Sequence, residues 1–216
     1  MRLLVALTCL LAGCLAQRPQ PCTTPPLLTG EFIVSAQKGE VTPIHMQYLY
    51  DAVGQRIRLT EKSSNANKNS VRDFLLHYKE GVVYNIFNSN QTCQTLPLKG
   101  QFQPIGIQKP AFHVGDAFLG GSSVLNETLQ ITTWTIALPG KAGKFITHVT
   151  KFGCFPISTL FDTDTDQFGW VIINYFNNVV GITDPSLLNP PSFCPQAEIK
   201  PEAEQKHFLN LLFEKD

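Results

Sequence analysis

The stretch Val71 to Leu98, VRDFLLHYKEGVVYNIFNSNQTCQTLPL, constrains the fold more than any other part of the chain. Two runs rich in β-branched and aromatic residues, Val71 to Tyr78 and Val82 to Phe87, flank Lys79, Glu80 and Gly81. A short glycine-containing gap between such runs predicts a β-hairpin. In the second run Val82, Tyr84 and Ile86 share one face, while Val83 and Phe87 lie with Asn85 on the other. Both faces carry apolar groups, and a lone hairpin cannot keep both from water. The run continues through Asn90, Gln91 and Thr92, an acceptor triplet for N-linked glycan, into Cys93, a thiol suited to a disulfide in an exported chain.

Export is predicted by the start of the chain. Arg2 precedes an apolar segment from Leu3 to Leu15 that ends in small residues, the order of a secretory signal peptide, with cleavage expected after Ala16. A competing reading takes Leu11, Ala12, Gly13 and Cys14 as a bacterial lipoprotein box, but the later cysteines and sequons speak against it. The segment is too short to span a bilayer and no other stretch reaches about 20 apolar residues, so the mature chain is expected to be soluble rather than membrane-spanning. The tail Phe213 to Asp216 is not an endoplasmic-reticulum retention signal, which leaves secretion, or delivery to the lysosomal lumen, as the destination.

Residues 17–216 form a length that suits a single domain. Without Arg2 the acidic residues just outnumber the basic ones, and no positive field points to nucleic acid. Cys22, Cys93, Cys154 and Cys194 remain, an even set that predicts two disulfides. The count permits three pairings, and no C-x-x-C spacing points to zinc or redox catalysis.

Along the mature chain, a Pro- and Thr-rich lead-in from Cys22 to Thr29 opens into a strand from Glu31 to Gln37. His45 to Tyr50 and Gln55 to Thr60 form a second hairpin, Ile57 and Leu59 inward, Arg56 and Arg58 outward. Ser63 to Ser70 reads as a polar exposed loop. In the run Thr128 to Leu138 the apolar positions shift from Leu129 and Ile131 to Trp134, Ile136 and Leu138, which predicts a β-bulge at Thr132 and Thr133. Lys144 to Lys151 and Phe155 to Phe161 continue the series, and the apolar run Phe168 to Asn178 is expected at the centre of the sheet. Beyond Gly181 the prolines Pro185, Pro190 and Pro191 end the sheet on the approach to Cys194. From Pro201, with Glu202 and Glu204 in its first turn and Phe208, Leu211 and Leu212 on one face, a short amphipathic helix is expected, preferably as a lid on the core.

A search for chemistry finds no catalytic frame, and the chain reads as a non-enzyme. Gly120 to Ser123 lacks the G-x-S-x-G pattern, and His45, His77, His113, His148 and His207 are scattered. His77, between Leu76 and Tyr78, is a candidate pH sensor, with a plain strand residue as the preferred reading. Asp162, Asp164 and Asp166 alternate as carboxylates around a calcium ion would, yet Gln167 and Ile173 stand where an EF-hand needs glycine and glutamate. A solvated turn is the preferred reading there. Tyr84, Trp134, Phe145, Trp170 and Tyr175 are candidates to line an apolar ligand pocket, weighed against their use as plain core.

Several blocks in order give the chain a family likeness: Gln20-Pro21-Cys22, Leu76-His77-Tyr78-Lys79-Glu80-Gly81-Val82-Val83-Tyr84, Cys93, Gly153-Cys154-Phe155-Pro156 and Pro190-Pro191-Ser192-Phe193-Cys194. In these it resembles the ependymins and the mammalian ependymin-related proteins across nearly the whole mature chain. The sequon ahead of Cys93 and the tail His207-Phe208-Leu209 look closer to the fish-type branch; an extra cysteine pair of the mammalian branch is absent here. The resemblance implies an all-β fold of two stacked antiparallel sheets, a half-barrel or sandwich of the LolA and LolB lipoprotein-carrier type, enclosing an apolar pocket. It implies the pairings Cys22 with Cys154 and Cys93 with Cys194, and a calcium-binding, often dimeric glycoprotein that binds lipid, its calcium ligands unplaced. The expectation is a secreted protein with glycans at Asn90 and Asn126 that shelters a hydrophobic or lipid molecule between sheets. The alternative is an extracellular matrix or cell-adhesion glycoprotein without a small-molecule ligand.

Overall fold

The computed structural model describes residues 19–36, 43–62, 72–98, 100–121, 128–137, 143–163 and 169–194. The leader, the Ser63 to Ser70 loop, Asn126, Asp164, Asp166 and the amphipathic C-terminal segment lie outside the described residues. The described chain is all-β, with one 3₁₀ turn at Pro185–Leu188. Its strands are β1 (Leu27–Ala36), β2 (Ile44–Asp51), β3 (Arg56–Glu61), β4 (Asp73–His77), β5 (Val82–Phe87), β6 (Thr92–Pro97), β7 (Phe112–Leu119), β8 (Leu129–Ala137), β9 (Gly143–Thr150), β10 (Pro156–Thr163) and β11 (Trp170–Val180).

All neighbours pair antiparallel, in the order β6-β5-β4-β3-β2-β1-β11-β10-β9-β8-β7. The expected antiparallel class is present, but the strands hydrogen-bond into one eleven-stranded sheet instead of two. The sheet curls, as residues 102–107 demonstrate. The Ile105 amide donates to the Tyr50 hydroxyl on β2 at 3.1 Å, and Ile107 packs on Trp134 of β8 and Val149 of β9. In a flat sheet β2 and β9 would lie about 19 Å apart, four spacings of about 4.8 Å. Two residues of backbone reach only about 7 Å, and side chains stand roughly perpendicular to a flat sheet, so they do not span the remainder along it. The two layers are thus facing halves of one half-barrel.

The inner face follows the alternation of the sequence. Leu28, Phe32 and Val34 of β1, Met46, Tyr48 and Tyr50 of β2, Ile57 and Leu59 of β3, Leu76 of β4, Val83 of β5 and Val171 and Ile173 of β11 belong to one buried cluster. Gly30 lets the inner side chains meet: a Cβ there would stand 2.6 Å from Asn178 Oδ1 and 2.8 Å from the Tyr48 ring. The Tyr48 hydroxyl uses that space to donate to Asn178 Oδ1 at 2.6 Å. Strands β4 and β5 are buried on both faces, as the opening hairpin requires. Their outer face, Leu75, Val82, Tyr84 and Ile86, is covered by Leu188.

Segment 182–194 runs over that outer face. Arg58 donates to the Leu187 carbonyl at 2.8 Å, His77 Nε2 to the Leu188 carbonyl at 2.9 Å and Arg56 to Asn189 Oδ1 at 3.3 Å. The outward arginines of the sequence reading are therefore clamps. Arg58 also grips buried Asp73 through two bonds of 2.9 and 2.7 Å, and Asn88 adds a third at 2.8 Å. The disulfide Cys93–Cys194 fixes the end of the segment, and Cys22–Cys154 joins the N-terminus to the β9–β10 turn. These are the pairings the resemblance implies. With sequence separations of 132 and 101, each is worth about 4–5 kcal/mol in the chain-entropy account.

One expectation is corrected. Strand β8 pairs with β9 without interruption from Ile131 to Ala137, so Thr132 and Thr133 form no bulge. The extra residue is Val114 on β7, facing Trp134 and Thr133. The apolar phase shift instead records that Ile131 pairs into the outer face and Trp134 and Ile136 into the inner one.

Candidate functional site

The inner face of β1, β11, β10, β9 and β8 is organised in rows set by register. One row runs Ala36, Val171, Phe161, Phe145 and Ile136. The next runs Val34, Ile173, Thr159, Thr147 and Trp134. The second row is buried throughout, whereas in the first only Val171 is buried and the other four are half-buried. Exposure therefore rises toward one end of the half-barrel, the end at which β1 stops at Ala36, β8 at Ala137 and β10 at Thr163. Phe145 and Phe161 meet edge to face there, with ring centroids 4.8 Å apart.

Deeper in, the wall carries hydroxyls in an apolar setting. The Thr147 and Thr159 hydroxyls lie 3.2 Å apart, and Tyr175 packs against Phe32 and Tyr48 at centroid distances of 5.8 and 6.2 Å. Burial pushes the Tyr175 and Tyr48 hydroxyls well above the ordinary phenol range, so both stay neutral donors. Trp134 is buried, and its indole Nε1 meets no acceptor among the described residues. The far end is closed by Phe102, stacked on Tyr50 at 5.9 Å, and by Ile105 and Ile107.

Of the five aromatic candidates, Trp134, Phe145 and Tyr175 face inward, Trp134 under the closed end and Phe145 at the exposed one. Tyr84 lies on the opposite face beneath Leu188, and Trp170 pairs with Asp162 on that outer face at 38% exposure. Alternation places them there, because Tyr84 and Trp170 stand out of phase with inward Val83 and Val171. Sequence reasoning does not name Ala36, Ile44, Ile136 and Phe161 as candidates; Ile136 reads in phase with Trp134, while the inward phase of the other three shows once neighbouring strands are in register.

Among the described residues no group of three or more His, Cys, Asp or Glu stands together as a metal site. Asp162 occupies β10 opposite Lys144 and Trp170, and its side chain is outside the described set. Asn90 is exposed in the β5–β6 turn, and the Thr92 hydroxyl donates to its Oδ1 at 2.7 Å. His77 sits between Glu80 Oε2 at 2.8 Å and the Leu188 carbonyl, joining the hairpin turn to the covering segment. Asp116 on β7 accepts from Lys151 at 2.6 Å and lies 3.0 Å from His113, and these partners hold its carboxyl down to about 2. No helix among the described residues is long and apolar enough to cross a membrane.

Among the described residues the chain is a single antiparallel sheet curled into a half-barrel with an apolar inner wall, crosslinked by one disulfide at its N-terminal segment and one at the segment over its outer face. The family model named Ependymin matches residues 66–194. The chain is 32% identical to Ependymin-1 of Oncorhynchus mykiss over 211 residues, 94% of this chain and 92% of that protein. It is 31% identical to Ependymin of Esox lucius over 196 residues, 88% and 86% of the two chains. Mammalian ependymin-related protein 1 of Rattus norvegicus shares 25% over 182 residues, 83% and 79% of the two. Among solved structures, an uncharacterized conserved protein from Thermus thermophilus aligns at a TM-score of 0.49 and 10% identity, covering 79% of this chain and 87% of that one. The chain belongs to the ependymin family.

Proposed function

We propose that the protein is a secreted, disulfide-linked glycoprotein that shelters a hydrophobic or lipid molecule on the inner face of its half-barrel. The observation that carries this reading is the row Ala36, Phe161, Phe145 and Ile136, four apolar side chains held in register at partial burial above a fully buried row. Apolar area left half-covered at a concave face is area that an acyl chain would remove from water. Glycans at Asn90 and Asn126 and a calcium ion belong to the same reading. Native mass spectrometry and lipid extraction of the purified protein test it: a co-purified or exchangeable apolar ligand that is lost in Phe145→Asp is expected. Repeated absence of any such ligand overturns it.

A second reading, an adhesion or matrix glycoprotein that works through its surface, is favoured by β7. Among the described residues this strand is an edge of the sheet, and it exposes Phe112, Val114 and Phe118 at 65%, 62% and 61%. An open edge with apolar side chains suits pairing with another chain, including a second copy in a homodimer. Measuring collagen or cell binding after removal of glycan and calcium separates the two readings, since only the second loses its activity.

A further inference from the structure

Two segments of the described chain cover its own apolar surface, and one apolar row lies beyond both. Residues 102–107 close the far end of the inner face through Phe102, Ile105 and Ile107, and segment 182–194 lies on the outer face with Leu188 buried against Leu75 and Tyr84. At the other end of the inner face the row Ala36, Phe161, Phe145 and Ile136 stays half-buried. The sequence offers a stripe of matching character. From Pro201 onward, outside the described residues, Phe208, Leu211 and Leu212 recur at helical spacing on one face, and such a stripe gains free energy when it is buried.

The point from which that stripe departs is fixed. Cys194 is bonded to Cys93, the second residue of β6, with a Cα–Cα distance of 4.9 Å, and its N–H donates to the Pro191 carbonyl at 2.9 Å. Strands β1, β3, β5 and β8 run in one direction and β6 against them, so β6 starts at the end of the sheet where β1 stops at Ala36 and β8 at Ala137. Among the described residues β6 is also an edge, so a chain leaving Cys194 passes round it to the inner face without crossing another strand. In a flat sheet β6 and β10 would stand about 34 Å apart, seven spacings of about 4.8 Å, and the curl shortens the path across the inner face. Residues 195–201 reach about 24 Å when extended, and a helix from Pro201 to Leu212 adds about 16 Å. The stripe is therefore long enough in reach to lie on the row.

We propose that residues 201–212 dock their apolar stripe on the row Ala36, Phe161, Phe145 and Ile136, so that the chain occupies its own ligand wall and an apolar ligand must displace it. This rests on the inner face being the ligand site. The row lies on the concave face, which favours an occupant as narrow as one helix over the broad face of a second copy. Tethering makes a weak contact sufficient: a short linker gives an effective concentration of about a millimolar, so a stripe with a dissociation constant of about a millimolar is docked about half of the time. A stripe docked about nine-tenths of the time leaves about one wall in ten free and weakens the apparent affinity for ligand about tenfold.

The test uses the full mature protein. Without ligand, nuclear Overhauser contacts are expected between the Leu211 or Leu212 methyls and the Phe145 or Phe161 ring protons, and they disappear when oleic acid is added. Phe208→Asp/Leu211→Asp, which leaves the sheet untouched, loses the contacts from Leu212 and binds a dansyl-labelled fatty acid about tenfold more tightly than the wild type, with wild-type amide protection in β1 to β5. Absence of the contacts in the wild type overturns the docking, as does equal, measurable probe affinity in variant and wild type. A wild-type mass of two chains that falls to one in Phe145→Asp assigns the row to a second copy and overturns it as well. Contacts present with no probe bound by either protein leave the docking standing and refute the ligand reading.

Discussion

Leu188→Ala probes whether the outer segment is part of the folded core. The side chain is 1% exposed against Leu75, Val82, Tyr84 and Ile86. Truncation removes three carbons, about 2.4 kcal/mol of transfer free energy at about 0.8 kcal/mol each. The cavity cost depends on whether 182–194 can sink into the space. It is pinned on both sides of the site, by Arg58 on Leu187, Arg56 on Asn189 and the disulfide at Cys194, so collapse is partial. A total of about 3 kcal/mol follows, within the usual range for buried leucine. For a chain of this size that lowers Tm by about 6–12 °C. Urea unfolding of the oxidised protein, followed by circular dichroism, should give this loss with an unchanged m-value. Leu187→Ala is the internal control: the side chain is 44% exposed and the contact made by residue 187 is through its carbonyl, so the loss is under about 0.5 kcal/mol. Equal effects at the two positions, or less than about 1 kcal/mol at Leu188, would refute the account of the segment as core.

Asp73→Ala strands the Arg58 guanidinium and the Asn88 amide in a site where Asp73 is 1% exposed, and costs about 3–5 kcal/mol by the same unfolding assay. His148, desolvated on β9, has its imidazole pKa lowered from 6.5, so the unfolded chain takes up that proton first as pH falls. Its contribution to stability is complete above pH 6.5 and is lost as pH falls from there through its folded-state titration; His148→Asn should flatten that part of a Tm-against-pH profile. Under the proposed glycoprotein reading, Asn90→Gln removes one glycan, read as a single step in gel mobility that matches partial glycosidase digestion, with the fold unchanged because Asn90 is exposed in a turn.

Where burial is one-sided or complete, strands were legible from residue pattern. Ile57 and Leu59 against Arg56 and Arg58 gave β3 its orientation, and the two-sided run Val82 to Phe87 foretold a strand covered on both faces. The strand read at Phe168 to Asn178 stands mid-sheet as β11 (Trp170–Val180), between β1 and β10. The strands passed over are β6 and β7, which are the two edges. An edge strand packs on one neighbour only, so TCQTLP and FHVGDAFL carry little apolar alternation to read. Strand β7 is exposed along most of its length, and its Val114 bulge breaks what periodicity it has.

The site was less legible than the fold, for a reason visible in its rows. Phase within one strand says which residues share a face, but which face is concave depends on curl, and curl is set by contacts distant in sequence. Residues 105 and 107 touch β2 and β8 at once only because the sheet bends, and the N-terminal segment at Cys22 and Thr23 can pass against residue 106 only because that residue is glycine. Nothing local to Tyr84 or Trp170 distinguishes them from Phe145 or Tyr175; all four are aromatic residues in apolar strands. The distinction arises from register, since Phe145 pairs with Phe161, Phe161 with Val171 and Val171 with Ala36, and that chain of partners defines the inner wall. The proposed ligand wall is therefore a property of rows across strands, and under that reading substitutions at Phe161 or Ile136 alter it as much as one at Phe145, while Trp170 is silent.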